Sequence, residues 1–147
     1  MKLLDKKIFN IVVRSTPLIS IDLIIKKGDM ILLGKRVNKP ARDYLFSPGG
    51  RIYKNEKISN AIIRISSDEL GFSLKTDPKF LGVFEHFYND GIFENVSTHY
   101  VNLAYELEID GPLSLPTDQH DEYQWLTIDE LLKSELVHQY VKDYFEH

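Results

Sequence analysis

The sequence predicts one mixed α/β domain spanning residues 1–147. Three observations predict it. The apolar period switches repeatedly between the two-residue beat of strands and the 3.6-residue beat of helices, as in a layered α/β architecture. The length lies within the ~50–250 residues of ordinary single domains. No repeat, linker or low-complexity stretch divides the chain.

Taken in order, residues 5–14 read as a short helix, and Thr16-Pro17 stops it. Proline lacks an amide donor and biases its predecessor toward extended geometry. Residues 18–25 read as a strand, Lys27-Gly28-Asp29 as a turn and 30–36 as the returning strand of a hairpin. A loop from Pro48 leads to a helix over about 55–70, with Ile58, Ile62 and Ile65 at helical spacing as its core stripe and Gly71 as its C-cap. Residues 80–88 and 97–109 read as strands. In the second, Val101, Leu103, Tyr105, Leu107 and Ile109 mark a core face, and Tyr100, Asn102, Glu106 and Glu108 a polar one. Thr127-x-x-Glu130 is a capping box that opens a helix, and a last helix is expected over roughly 135–145.

Composition narrows the class. Hydrophobic residues make up 43% and charged residues 27%, a balance that excludes collagen, disordered tails and coiled coils. Cysteine is absent, so disulfide scaffolds and thiolate metal sites are excluded. The longest apolar runs, such as Met30-Ile31-Leu32-Leu33, fall far short of the ~18 residues of a membrane span. Met1 to Arg14 mixes Lys2, Asp5, Lys6 and Lys7 with apolar residues, unlike a signal peptide, so a cytoplasmic protein is expected. The net charge of −4 argues against a broad nucleic-acid surface.

The strongest motif is Gly50-x5-Glu56-x7-Arg64-x4-Glu69-x-Gly71, preceded by Pro48-Gly49. It resembles the Nudix box, a loop–helix–loop that binds a divalent metal on a nucleoside-diphosphate derivative. Position 65 carries isoleucine where the family usually carries glutamate. Positions 65 and 69 share a helix face, so that face has lost one carboxylate. Glu69 lies in register with the apolar stripe, where a carboxylate is costly unless it is paired or metal-bound. Glu56 and Arg64 suit an ion pair between loop and helix better than metal ligation.

Further segments resemble the GDP-mannose mannosyl hydrolase branch: Leu33-Gly34-Lys35-Arg36, Gly50-Arg51, His86-Phe87-Tyr88, Thr98-His99-Tyr100 and Asp118-Gln119-His120-Asp121. That branch lacks the glutamate replaced here by Ile65. The resemblance implies a Nudix fold, with a mixed β-sheet sandwiched between helices. It implies hydrolysis of GDP-mannose, or GDP-glucose, to GDP and free sugar by water attack at the anomeric carbon with inversion. The setting would be polysaccharide sugar-nucleotide metabolism. Mg²⁺, with Mn²⁺ as the alternative, would be held by the Gly49 carbonyl, the Glu69 carboxylate and the Gln119 amide oxygen. Arg36 and Arg51 would hold the diphosphate, with His86 and Tyr100 nearby. His120 would be the general base, a role its ordinary pKa of ~6.5 suits. Asp22 would bind sugar hydroxyls, Phe9 and Tyr88 are candidates to stack on guanine, and a homodimer is implied.

Two alternatives stand beside this. A conventional Nudix pyrophosphatase would give a nucleoside monophosphate and a sugar phosphate. A scaffold that binds nucleotide sugars without turnover would not need Glu69, Gln119 and His120. A zinc site of His86, His99 and His120 is disfavoured, because the spacing matches no compact zinc motif.

Overall fold

The structure, a computed structural model, describes residues 3–71, 77–109 and 120–146, with only the backbone of residues 120 and 121. Helix α1 (Lys6–Ser15) starts where the Asp5 carboxylate accepts from the Ile8 amide at 2.9 Å. Strands β1 (Leu18–Lys27) and β2 (Met30–Arg36) form the expected hairpin, with Gly28 in the left-handed region (φ 61°) at the turn. Short strands β3 (Leu45–Phe46) and β4 (Gly49–Arg51) lead into α2 (Ile58–Leu70), which Gly71 closes in the αL conformation. Strands β5 (Lys79–Tyr88), β6 (Thr98–Glu108) and β7 (His120–Thr127) follow, then α3 (Ile128–Lys133) and α4 (Gln139–Lys142).

The sheet is mixed. Its main order is β3-β2-β1-β6-β5, with β4 paired to β1 and β7 to β2. β1 and β6 run parallel at its centre from Leu18↔Tyr100 to Lys26↔Glu108, and their other neighbours are antiparallel. Helix α2 covers one face, packing Ala61, Ile62, Ile65 and Leu70 on Ile21, Leu23, Ile25 and Leu107. Each such large side chain contributes about 1.5–3 kcal/mol by leaving water. Leu131, Val137, Val141 and Tyr144 from the C-terminal helices and turn cover the other face, over Ile24, Leu33 and Ala104.

Several expectations need correction. Helix α2 begins at Ile58, because the preceding residues form a turn closed by the Glu56 amide on the Tyr53 carbonyl. Ile58, at that first turn, is 43% exposed and lies outside the core. The alternation in β6 does not separate core from solvent. β6 is a central strand covered on both sides, so Asn102 and Ala104 are fully buried. The expected last helix shortens to Gln139–Lys142, since Glu135 and Leu136 form a turn and Val137 bridges Leu45. At the outer strand β5, the Tyr140 hydroxyl accepts from the Phe87 N–H and donates to the Phe87 carbonyl, both at 2.9 Å. A bulge with Gly82 at φ 147° interrupts the same strand.

Candidate functional site

A cavity of about 570 Å³ opens between α1, α2 and the sheet. That volume suits a small organic ligand. Its two ends differ in construction.

The outer end is the loop–helix unit. Arg64 on α2 forks onto Glu56 in the loop, with Nε to Oε2 at 2.8 Å and Nη2 to Oε1 at 3.0 Å. The same Nη2 donates to the Arg51 carbonyl at 2.7 Å, and Glu56 accepts from the Tyr53 amide at 3.0 Å. Arg64 also lies 3.9 Å over the Tyr53 ring. The Arg64 guanidinium holds the Glu56 carboxyl below the usual range. The expected ion pair is therefore present, and it fixes the backbone that carries Arg51. The Arg51 side chain lies 4.3 Å over the Phe9 ring, with Tyr53 at 5.6 Å. One face of Phe9 thus holds Arg51 rather than standing open to a base.

Ile65 is 1% exposed, and it packs so closely on Gly50 that a Cβ there would stand 3.1 Å from Cγ1. At Gly49 a Cβ would strike the Ile21 carbonyl and come within 2.6 Å of Asp22 Oδ1. Only glycine lets this strand lie so close to β1. Glu69 and Asp68, on the last turn of α2, line the same cavity.

The inner end is buried and mostly uncharged. Asp22 on β1 is paired with Gly49 and lines the cavity. Burial pushes its carboxyl up to about 6, against the opposing pull of the Tyr144 hydroxyl and the Arg36 charge. Tyr144 donates to Oδ2. His86 on β5 is 3% exposed and stacks on Tyr140 at 4.2 Å, with the rings nearly parallel at 5°. Burial, aided by His138, lowers the His86 imidazole to about 4, so it is neutral at pH 7. Its Nε2 and the Ser47 hydroxyl are buried and make no hydrogen bond among the described residues. Burial also raises the phenols of Tyr88 and Tyr100, with Arg36 pulling the other way, so both remain neutral donors.

A scan against family models matches the NUDIX domain over residues 16–145. The chain belongs to the Nudix family. Among its relatives is the low-salt glycan biosynthesis protein Agl8 of Haloferax volcanii, 38% identical over 112 residues, covering 76% of this chain and 71% of that protein. An ADP-ribose pyrophosphatase of Methanocaldococcus jannaschii is 28% identical over 129 residues, covering 87% of this chain and 73% of that protein. In fold, this Nudix chain matches a MutT protein from Methanosarcina mazei with TM-score 0.74 at 20% identity, covering 90% and 93% of the two chains.

Nudix hydrolases generally use divalent metals such as Mg²⁺. The donor chemistry at the outer end fits such an ion. Among the described residues no cluster of three or more His, Cys, Asp or Glu stands ready to hold one. A Mg²⁺ site can be completed by backbone oxygens and retained waters. Gly49, which has a backbone carbonyl to offer, and Glu69, which has a carboxylate, both line the cavity.

The cavity brings together Phe9, Asp22, Arg36, Gly49, Arg51, Glu69, His86, Tyr88 and Tyr100 of the expected set. Arg36 is braced there by Nε donating to the Pro40 carbonyl at 3.0 Å. Gln119 lies outside the described residues, as does the side chain of His120, whose backbone pairs with Arg36. His86 and His99 occupy adjacent, not facing, registers on β5 and β6, so their side chains take opposite faces of the sheet; His99 stacks on Phe87 at 4.3 Å. That separation removes the zinc arrangement. Sequence reasoning missed Ser47, Tyr140 and Tyr144. The one signal for the two tyrosines is the concentration of aromatics near the C-terminal end, which carries no spacing that points to β1 or β5, and Ser47 carries none.

Proposed function

We propose that this chain is a GDP-mannose mannosyl hydrolase, releasing GDP and free sugar by water attack on C1 with inversion. The observation that carries the proposal is Ile65. It sits in the cavity wall sealed against Gly50, where the general box has a carboxylate, so this helix face offers Glu69 without that second acid. The naming of the Haloferax volcanii relative as a glycan biosynthesis protein supports a sugar nucleotide as substrate.

Arg36 and Arg51 would bind the diphosphate, since a guanidinium fork matches phosphate oxygens. Gly49, Glu69 and Gln119 would hold Mg²⁺ or Mn²⁺, which when bound neutralises charge on the diphosphate leaving group. Asp22 would accept from sugar hydroxyls. His86, Tyr88 and Tyr100, neutral at pH 7, would donate hydrogen bonds without adding charge. His120 would take the proton of the attacking water. Residues 1–147 would act as one domain, in the cytoplasm and as a homodimer. The exposed Ile8 and Ile11 on α1 support such an interface.

The test is turnover of GDP-mannose with Mg²⁺ in ¹⁸O-labelled water. Expected are GDP and label in free mannose. Release of GMP with mannose 1-phosphate would overturn C1 attack and favour the pyrophosphatase reading, which the 28%-identical ADP-ribose pyrophosphatase supports.

A further inference from the structure

The C-terminal turn after α4 reaches back across the sheet to the inner end of the cavity. Ser20 Oγ donates to Asn102 Oδ1 at 2.9 Å, Asn102 Nδ2 donates to Tyr144 Oη at 2.5 Å, and Tyr144 Oη donates to Asp22 Oδ2. Ser20, Asn102, Tyr144 and Asp22 are each less than a tenth exposed. The three bonds run in one direction and end on the carboxylate, so each polarises the next. An ionised carboxylate only accepts, which fixes the Tyr144 hydroxyl as donor and leaves its lone pair for Asn102. The Tyr144 ring is itself held edge-on to Phe84 at 4.7 Å. A buried tyrosine needs some partner, and here the partner is an acid that lines the cavity.

We propose that Tyr144 is a positioning residue. By holding Asp22 Oδ2 it fixes the carboxylate in the one orientation that leaves its other oxygen sites to accept from the sugar half of the substrate. This rests on the reading of the chain as a sugar-nucleotide hydrolase. Tyr144 acts through Asp22 and does not touch the diphosphate. Its loss therefore separates the two halves of the ligand, which a merely structural role would not do.

The experiment compares kcat/KM for GDP-mannose with the inhibition constant of GDP, which lacks the sugar. Tyr144→Phe keeps the ring and removes the hydroxyl. The expected result is a loss of about tenfold in kcat/KM, the scale of one hydrogen bond to a charged group, with GDP inhibition changed less than twofold. In the Asp22→Asn background the same substitution should change kcat/KM less than twofold, because the two residues act as a unit. Equal losses for GDP-mannose and GDP, an unchanged kcat/KM, or additive effects in the double variant would overturn the proposal. Should Tyr144→Phe fail to fold, Ser20→Ala breaks the far end of the same chain. It should lower kcat/KM about two- to threefold without moving GDP inhibition, and a matching loss for GDP would count against the proposal. Turnover of ADP-ribose in place of GDP-mannose would defeat the substrate assignment alone. The same comparison, with ADP-ribose as substrate and ADP as inhibitor, would then decide the role of Tyr144.

Discussion

The two ends of the cavity are stabilised with opposite dependence on pH. At the outer end, Glu56 is held below the ordinary carboxylate range by Arg64. Its contribution is complete above the unfolded value and is lost as pH falls through the lowered folded value. At the inner end, burial raises Asp22 to about 6 from 3.8. Its contribution is present below 3.8 and is lost as pH rises through about 6, because the native state must then bury an ionised carboxylate. One end gains from a charge and the other tolerates one. A carboxylate kept in so costly a place on the cavity lining points to a ligand rather than to stability.

The comparison can be broken most severely at the metal side. Glu69→Gln keeps shape and removes charge, and should lower Mg²⁺-dependent turnover by about 10²-fold or more, read as kcat/KM at limiting Mg²⁺. Full activity would remove Glu69 from the site. Next, Arg64→Ala leaves the Glu56 carboxylate buried without its cation. It should cost about 2–3 kcal/mol in urea unfolding at pH 7, less than a fully buried pair because Arg64 is partly exposed. It should also flatten the loss of stability on acidification. Asp22→Asn should act in the opposite sense. In metal-free buffer the variant should gain on the order of 1–2 kcal/mol over the native protein at pH 7–8, with the gain vanishing below pH 4, while turnover falls. A gain that persists at pH 4 would show that burial of charge is not its cause. The smallest effect is a control remote from both ends. Thr127 caps α3 by accepting from the Glu130 amide at 3.1 Å, so Thr127→Ala should cost about 1 kcal/mol with kcat/KM unchanged.

The outer end was legible in the sequence because it is local. Glycine, glutamate and arginine lie within one loop and one helix, and the turn before α2 folds Glu56 back within reach of Arg64 on its second turn. The capping box at Thr127 and the αL stop at Gly71 were legible for the same reason. The inner end was not. Asp22 and Tyr144 are 122 positions apart and Asn102 and Tyr144 are 42 apart, and no periodicity connects them. Asn102 looked like the solvent face of a strand, since alternation cannot reveal that a central strand is covered twice. Strands β3 and β4, of two and three residues, are too short to carry any period. The pairing of β4 with β1 depends on close approach at Gly49 rather than on side-chain pattern.

The contact of Tyr140 with Phe87 has a consequence for association between copies. Among the described residues β5 is the last strand on its side of the sheet, and its exposed face carries Phe80, Val83 and Phe87, each more than half exposed. A long apolar edge of that kind invites a strand from another molecule to zip onto it. Here one phenol occupies both backbone groups of Phe87, and the Gly82 bulge breaks the ladder five residues earlier. An incoming strand would find only the short run between them in register, too little to outweigh the entropy of docking. The tyrosine that stacks on His86 therefore also acts as a gatekeeper against runaway β-polymerisation.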